Sequence, residues 1–146
     1  MASDSCWASN GVQTTSLTKI DRLSSGALFG SAGDGDIRAL LALIDRVKSP
    51  NKLPTKAELS ATRCETTGIL AFKTGQVWMI AIEKQGEHFE AMVWPANRSI
   101  AGIGSGGEFA IGAMAAGKTP AEAVRIACRY DTNSRPPVHT VKLVQA

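Results

Sequence analysis

Ser105 is the one hydroxyl in a glycine-rich turn, Ala101-Gly-Ile-Gly-Ser-Gly-Gly-Glu-Phe-Ala110, which leads into a run of small residues reaching Gly117. Such a turn can cradle a phosphate on its amides, present a nucleophilic hydroxyl, or let a helix press closely on neighbouring backbone. Four further residues carry groups suited to moving or holding protons: Asp4, Lys19, Asp131 and Ser134. Each has a plain structural reading when taken singly. A lysine before a strand is solvated, a serine among glycines serves the turn, and an aspartate after a helix caps it or forms a turn.

The phosphate reading is the easiest to test on sequence. Gly102–Gly107 lacks the Gly-Lys-Ser/Thr ending of a P-loop, and no acidic residue follows on a next strand as in a dinucleotide fold.

The elements that must position these residues follow from the apolar pattern. Residues 25–33 form a short apolar run between glycines, read as a buried strand. Asp34 or Asp36 then caps a helix whose Ile37, Leu40, Leu41, Ile44 and Val47 share one face, and Ser49-Pro50 stops it. A short helical turn is expected at 56–59. Residues 68–72, 77–83 and 88–93 read as strands joined by the glycine-containing turns Lys73-Thr-Gly-Gln76 and Lys84-Gln-Gly-Glu87.

A strand is expected at 100–103, a helix at 108–116 stopped by Gly117, and a further helix opened by Thr119-Pro-Ala-Glu122. In that opening Thr119 caps, Pro120 suits the first turn and Glu122 completes a capping box. Residues 138–144 read as a closing strand. Strands that meet through hairpins, with helices before and after them, give an α/β or α+β sandwich.

Composition narrows the function classes. The 146 residues are 44% hydrophobic and 20% charged, with a formal net charge of +3. One domain of this length buries about two-thirds of its unfolded surface. Lys and Arg are scattered, which argues against a dedicated nucleic-acid surface. No apolar run approaches the roughly 20 residues of a membrane span, and the opening Met-Ala-Ser-Asp-Ser has no signal-peptide character. Cys6, Cys64 and Cys128 are odd in number and far apart, so they read as free thiols in a reducing cytoplasm and not as a zinc site. His88 and His139 fall on strand-like segments without a partner pattern. Trp7, Trp78 and Trp94 read as core or interface anchors, and Glu108 favours its helix N-terminus.

Taken together, Ala2-x-Asp4, Lys19-Ile-x-Arg-Leu23, Ser31-Ala-Gly33, Ile103-Gly-Ser-Gly-Gly-Glu-Phe-Ala110 and Asp131-x-x-Ser134 resemble, in order, the proteasome β-subunit family, HslV-type peptidases included. The resemblance runs from Met1 to about Leu143. With Ala115-Ala-Gly-Lys-Thr-Pro-Ala-Glu-Ala-Val124 the chain is most similar in style to short proteasome-like proteins of phages and prophages. It implies an N-terminal nucleophile hydrolase fold, an α+β four-layer αββα sandwich, as one domain over 1–146.

The implied activity is peptide-bond hydrolysis by an N-terminal threonine whose own α-amino group, with a pKa of about 7.7–8.0, acts as base. Lys19 would ease proton transfer by its charge and Asp4 would hold Lys19. Ser105 would hydrogen-bond the amine, with Asp131 and Ser134 completing the network, and backbone N–H groups nearby would form an oxyanion site. The family requires no cofactor. By resemblance, the backbone carbonyls of Cys128, Asp131 and Ser134 would bind a structural Na+ or Mg2+. A homo-oligomer (dimer or ring), a peptide or unfolded-protein substrate and an ATPase unfoldase are the implied partners, with no nucleic acid and no membrane.

The chain also departs from the family. The threonine strand should lie some sixteen residues upstream of Asp4, whereas only Met-Ala-Ser precedes it, so the nucleophile and first strand are absent and the chain is expected to be inactive. Loss of Met1 would expose Ala2, which has no nucleophile. Cleavage before Thr14 would discard Asp4 and leave Thr14 only five residues from Lys19, and Cys6 also lies after Asp4. Either Met1 is an internal methionine of a longer chain or this is a catalytically dead, ring-forming subunit. The retained Asp4, Lys19, Ser105, Asp131 and Ser134 favour the former. Arg135-Pro136 stands where relatives carry Gly-Gly, and proline there fixes φ and removes a donor.

Overall fold

The computed structural model describes residues 1–4, 18–33, 36–96 and 100–144, and the backbone of two short strands at 7–9 and 12–14. Cys6, Thr15 and Asp34 lie outside the described residues.

The strands are β1 (Ala2–Ser3), β2 (Trp7–Ser9), β3 (Val12–Thr14), β4 (Ile20–Arg22), β5 (Leu28–Ala32), β6 (Thr66–Ala71), β7 (Val77–Gln85), β8 (His88–Pro95) and β9 (His139–Thr140). The helices are α1 (Arg38–Ile44), α2 (Lys56–Ala61), α3 (Gly107–Ala115) and α4 (Pro120–Tyr130), with a 3-10 turn at Pro50–Lys52. This is a mixed α/β chain built on antiparallel sheets. Five strands run in the order β4-β5-β6-β7-β8, β2 pairs with β3, and β1 pairs with β9.

Register decides which side chains share a face. Phe29, Leu70 and Trp78 stand opposite one another across β5, β6 and β7, as do Thr66, Ile82 and Ala91 across β6, β7 and β8. Strict alternation of burial along β6 matches this pleat. Phe29, Leu70, Ile80 and Ile82 are fully buried against Leu40, Ile44 and Leu59 of α1 and α2. Each such side chain contributes about 1.5–3 kcal/mol by leaving water. The opposite face carries Gly30, Ile69 and Met79 in register, and it does not enter this core.

Several sequence expectations shift. The run at 25–33 divides into a turn and β5, and β4 forms a strand of its own beside it. Helix α1 stops at Ile44, short of Ser49, and begins after Ile37 with no side-chain cap. Asp36 accepts the Arg38 amide at 3.0 Å instead. Residues 100–103 make no strand, because Gly102 is pressed against the following turn. A Cβ on Gly102 would lie 2.8 Å from the Gly107 carbonyl oxygen. The closing strand at 138–144 shortens to His139–Thr140. Trp78 packs against the core, whereas Trp94 is 38% exposed.

Candidate functional site

Helix α4 sets one wall. Thr119 caps it by accepting the Glu122 amide, while the Glu122 carboxylate accepts the Thr119 amide, so both ends of the capping box are closed. After its eleven residues the helix delivers Asp131 at its C-cap. The chain then turns, with Asp131 Oδ1 accepting the Asn133 amide at 3.3 Å and Asp131 Oδ2 accepting the Ser134 hydroxyl at 2.6 Å. An aspartate that bonds its own backbone two residues on is the usual stabiliser of such a turn.

The glycine turn supplies the second wall. Ser105 stands just before the Gly106 N-cap of α3, and its hydroxyl donates to the same Asp131 Oδ2 at 2.7 Å. Two hydroxyls from segments 29 residues apart in sequence therefore converge on one carboxylate oxygen. Burial raises the Asp131 pKa, but the hydrogen bonds from Ser134, Ser105 and the Asn133 amide, together with the Lys19 charge, outweigh it and hold the carboxyl below its ordinary value.

Asp4 and Lys19 form the third element. Lys19 precedes β4 and its carbonyl accepts the Ser31 amide, which fixes its backbone to β5. Its Nζ lies 2.8 Å from Asp4 Oδ1, with side chains 25% and 13% exposed. The other carboxylate oxygen of Asp4 accepts the Arg135 amide at 3.1 Å. Asp4 thus ties β1, β4 and the loop after α4 together.

All five sequence-predicted residues meet here. Asp4, Lys19, Ser105 and Ser134 line a cavity of about 310 Å3, and Asp131 holds the two serines from behind. Ser3, Ser31 and Asn133 also line it, and the rest of the wall is largely apolar and comes partly from Gly30, Ile69 and Val77 on the free face of the five-stranded sheet. A group reacting in this cavity meets the Lys19 ammonium held by Asp4, the Ser105 and Ser134 hydroxyls held by Asp131, and a largely apolar surface.

Cys128 belongs to the same neighbourhood but not as a nucleophile. Burial and the Asp4 charge push its thiol up, Lys19 opposes them and Asp131 adds to the rise, so the thiol stays protonated at neutral pH. Cys64 is buried and likewise raised. His88 and His139 sit on β8 and β9 and do not join the cluster.

Sequence reasoning missed the Arg135 amide, because a backbone donor carries no side-chain signature. It also missed the pairing of β1 with β9, in which the Met1 amine donates to the Val141 carbonyl at 2.8 Å. The Ser3 hydroxyl is buried with no hydrogen-bond partner among the described residues.

Comparison with protein-family models finds no match, and comparison with curated proteins finds none either. Among the described residues no helix is long and apolar enough to cross a membrane.

Proposed function

We propose that this chain carries the supporting half of a proteasome-type threonine peptidase site, with the αββα sandwich of that family. The observation that carries the reading is the convergence of Asp4, Lys19, Ser105, Asp131 and Ser134 on one cavity from separate stretches of sequence. An ammonium held by a carboxylate lowers the cost of deprotonating a nearby hydroxyl. Ser105 and Ser134, fixed on Asp131, offer oxygens to a terminal amine. Chemistry of this type takes its hydroxyl and its base from an N-terminal threonine placed in this cavity. The Ser3 hydroxyl, buried with no hydrogen-bond partner among the described residues, and the cavity beside β1 support a strand seated there.

Two arrangements support the sandwich. The five-stranded sheet has α1 and α2 on one face, and its other face looks into the cavity bounded by residues of α3 and α4. An ion, if held, would rest on the carbonyls of Cys128, Asp131 and Ser134, hard donors suited to Na+ or Mg2+ that would stiffen the loop. The Asp131 carbonyl also accepts the Ser134 amide at 3.3 Å, and no group of three His, Cys, Asp or Glu among the described residues could hold a metal. No proposed step passes through an ion.

The test is to add a Thr-led apolar strand ahead of Met1 and assay a fluorogenic peptide, with Lys19→Ala as control. Hydrolysis that depends on Lys19 supports the reading; hydrolysis indifferent to Lys19→Ala overturns the role of Lys19, and no hydrolysis overturns the peptidase. A non-catalytic, ring-forming subunit is the second reading. It is favoured by α3, an almost wholly apolar helix whose Phe109 is 43% exposed.

A further inference from the structure

We propose that Gly106 is a positioning residue whose missing side chain is what allows Ser134 and Asp131 to close on one another beneath Ser105. Its backbone, with φ −80 and ψ −1, is ordinary helical-region geometry that any residue adopts. Glycine is therefore not needed there for conformational freedom, and the reason lies in space. A Cβ at Gly106 would stand 2.5 Å from Ser134 Oγ, 3.1 Å from Ala127 Cβ and 3.3 Å from Asp131 Oδ2.

The first and last of these atoms are donor and acceptor of the 2.6 Å bond between Ser134 and Asp131. A methyl group there faces both partners at once and can be admitted only by separating them. Ser134 and Ala127 are both buried, so neither can turn into solvent. The loop carrying Ser134 must move, and with it the Arg135 amide that donates to Asp4. One added carbon thus reaches both halves of the cluster, the two serines on Asp131 and the Asp4–Lys19 pair. Gly112 in the middle of α3 is the contrast, because a Cβ there meets nothing within 4 Å.

The value of this arrangement for peptide hydrolysis rests on the peptidase reading, but its effect on the cluster does not, and it is measured without any activity. The experiment is residue-resolved amide hydrogen exchange by NMR on Gly106→Ala, Gly112→Ala, Ser134→Ala and the double variant Gly106→Ala/Ser134→Ala. Gly106→Ala is expected to speed exchange at the Ser134 and Arg135 amides by about tenfold or more, while the central strands keep their protection. Gly112→Ala is expected to leave those two amides unchanged. With the Ser134 hydroxyl removed the 2.5 Å clash is gone and only the 3.1 and 3.3 Å contacts remain, which a shift of a few tenths of an ångström relieves, so the double variant is expected to exchange little faster than Ser134→Ala alone. Wild-type exchange at Ser134 and Arg135 in Gly106→Ala overturns the proposal, as do effects that simply add in the double variant. If Gly106→Ala does not fold, recovery of folding in the double variant supports the proposal and continued failure overturns it. Absence of peptidase activity would leave all these rates as they are.

Discussion

Lys19 and Asp4, 15 residues apart in sequence, meet in an ion pair of 2.8 Å whose two side chains are largely withdrawn from solvent. The pair is asymmetric. Asp4 also accepts the Arg135 amide, 131 residues away in sequence, so the carboxylate joins three segments of chain. An ion pair buried to this degree contributes little net stability over an apolar substitute, but removing one partner strands the other.

That asymmetry orders the effects of substitution. Asp4→Ala leaves a part-buried ammonium and a backbone N–H without their acceptor, and is expected to cost about 2–3 kcal/mol. Asp4→Asn keeps an acceptor for the Arg135 amide and should cost less. Lys19→Ala leaves Asp4 its backbone donor and is expected to be the milder removal of the two charges. Urea unfolding of the three variants checks the order. Equal losses for Asp4→Ala and Lys19→Ala would show that the Arg135 bond contributes nothing.

The Asp131 carboxyl gives the fold an acid-side dependence. Its folded pKa lies below the ordinary value because two hydroxyls and the Asn133 amide donate to the ionised form, against the opposing effect of burial. A depressed carboxylate contributes stability that is fully present above its unfolded pKa, about 3.9, and is lost as pH falls through the folded value. The stability of wild type against Asp131→Asn should therefore be constant from about pH 5 to 7 and converge below about pH 4. Ser105→Ala and Ser134→Ala should each shrink that convergence. Chemical denaturation at stepped pH measures it, and parallel pH curves for wild type and Asp131→Asn would contradict the assignment.

How much of this was legible in the sequence depends on how local each signal is. The capping box of α4 was fully readable, since Thr119, Pro120 and Glu122 act within one turn. The hairpin strands β6, β7 and β8 were readable for the same reason, through Gly75 and Gly86 at positive φ. The extent of β9 was not, because its partner is the other end of the chain and only two residue pairs form. The segment at 100–103 looked like a strand by composition, yet Gly102 packs on Gly107 and no ladder partner is present among the described residues. The five site residues could be named from motif order, but their geometry could not. That one oxygen of Asp131 serves both serines, and that a backbone amide completes Asp4, are facts of three-dimensional closure.

Helix α3 supplies the remaining prediction. Its sequence, Gly-Glu-Phe-Ala-Ile-Gly-Ala-Met-Ala, is apolar nearly all round, and it packs on α4. A helix of that kind is normally buried on most faces. Phe109, 43% exposed, stacks on Tyr130, 69% exposed, with ring centroids 6.0 Å apart, and the open positions at Gly112, Ala115 and Ala116 allow close backbone approach by another helix. Under the proposed reading this surface associates with a second copy of the chain. Phe109→Glu, which puts a charge on it in place of its largest exposed side chain on α3, should then convert a dimer or ring to monomer in light scattering. Because Phe109 lies outside the core and loses mainly its stack on Tyr130, the same variant should change monomer stability by no more than about 1.5 kcal/mol. A wild-type chain that stays monomeric at high micromolar concentration would remove self-association as the use of this face.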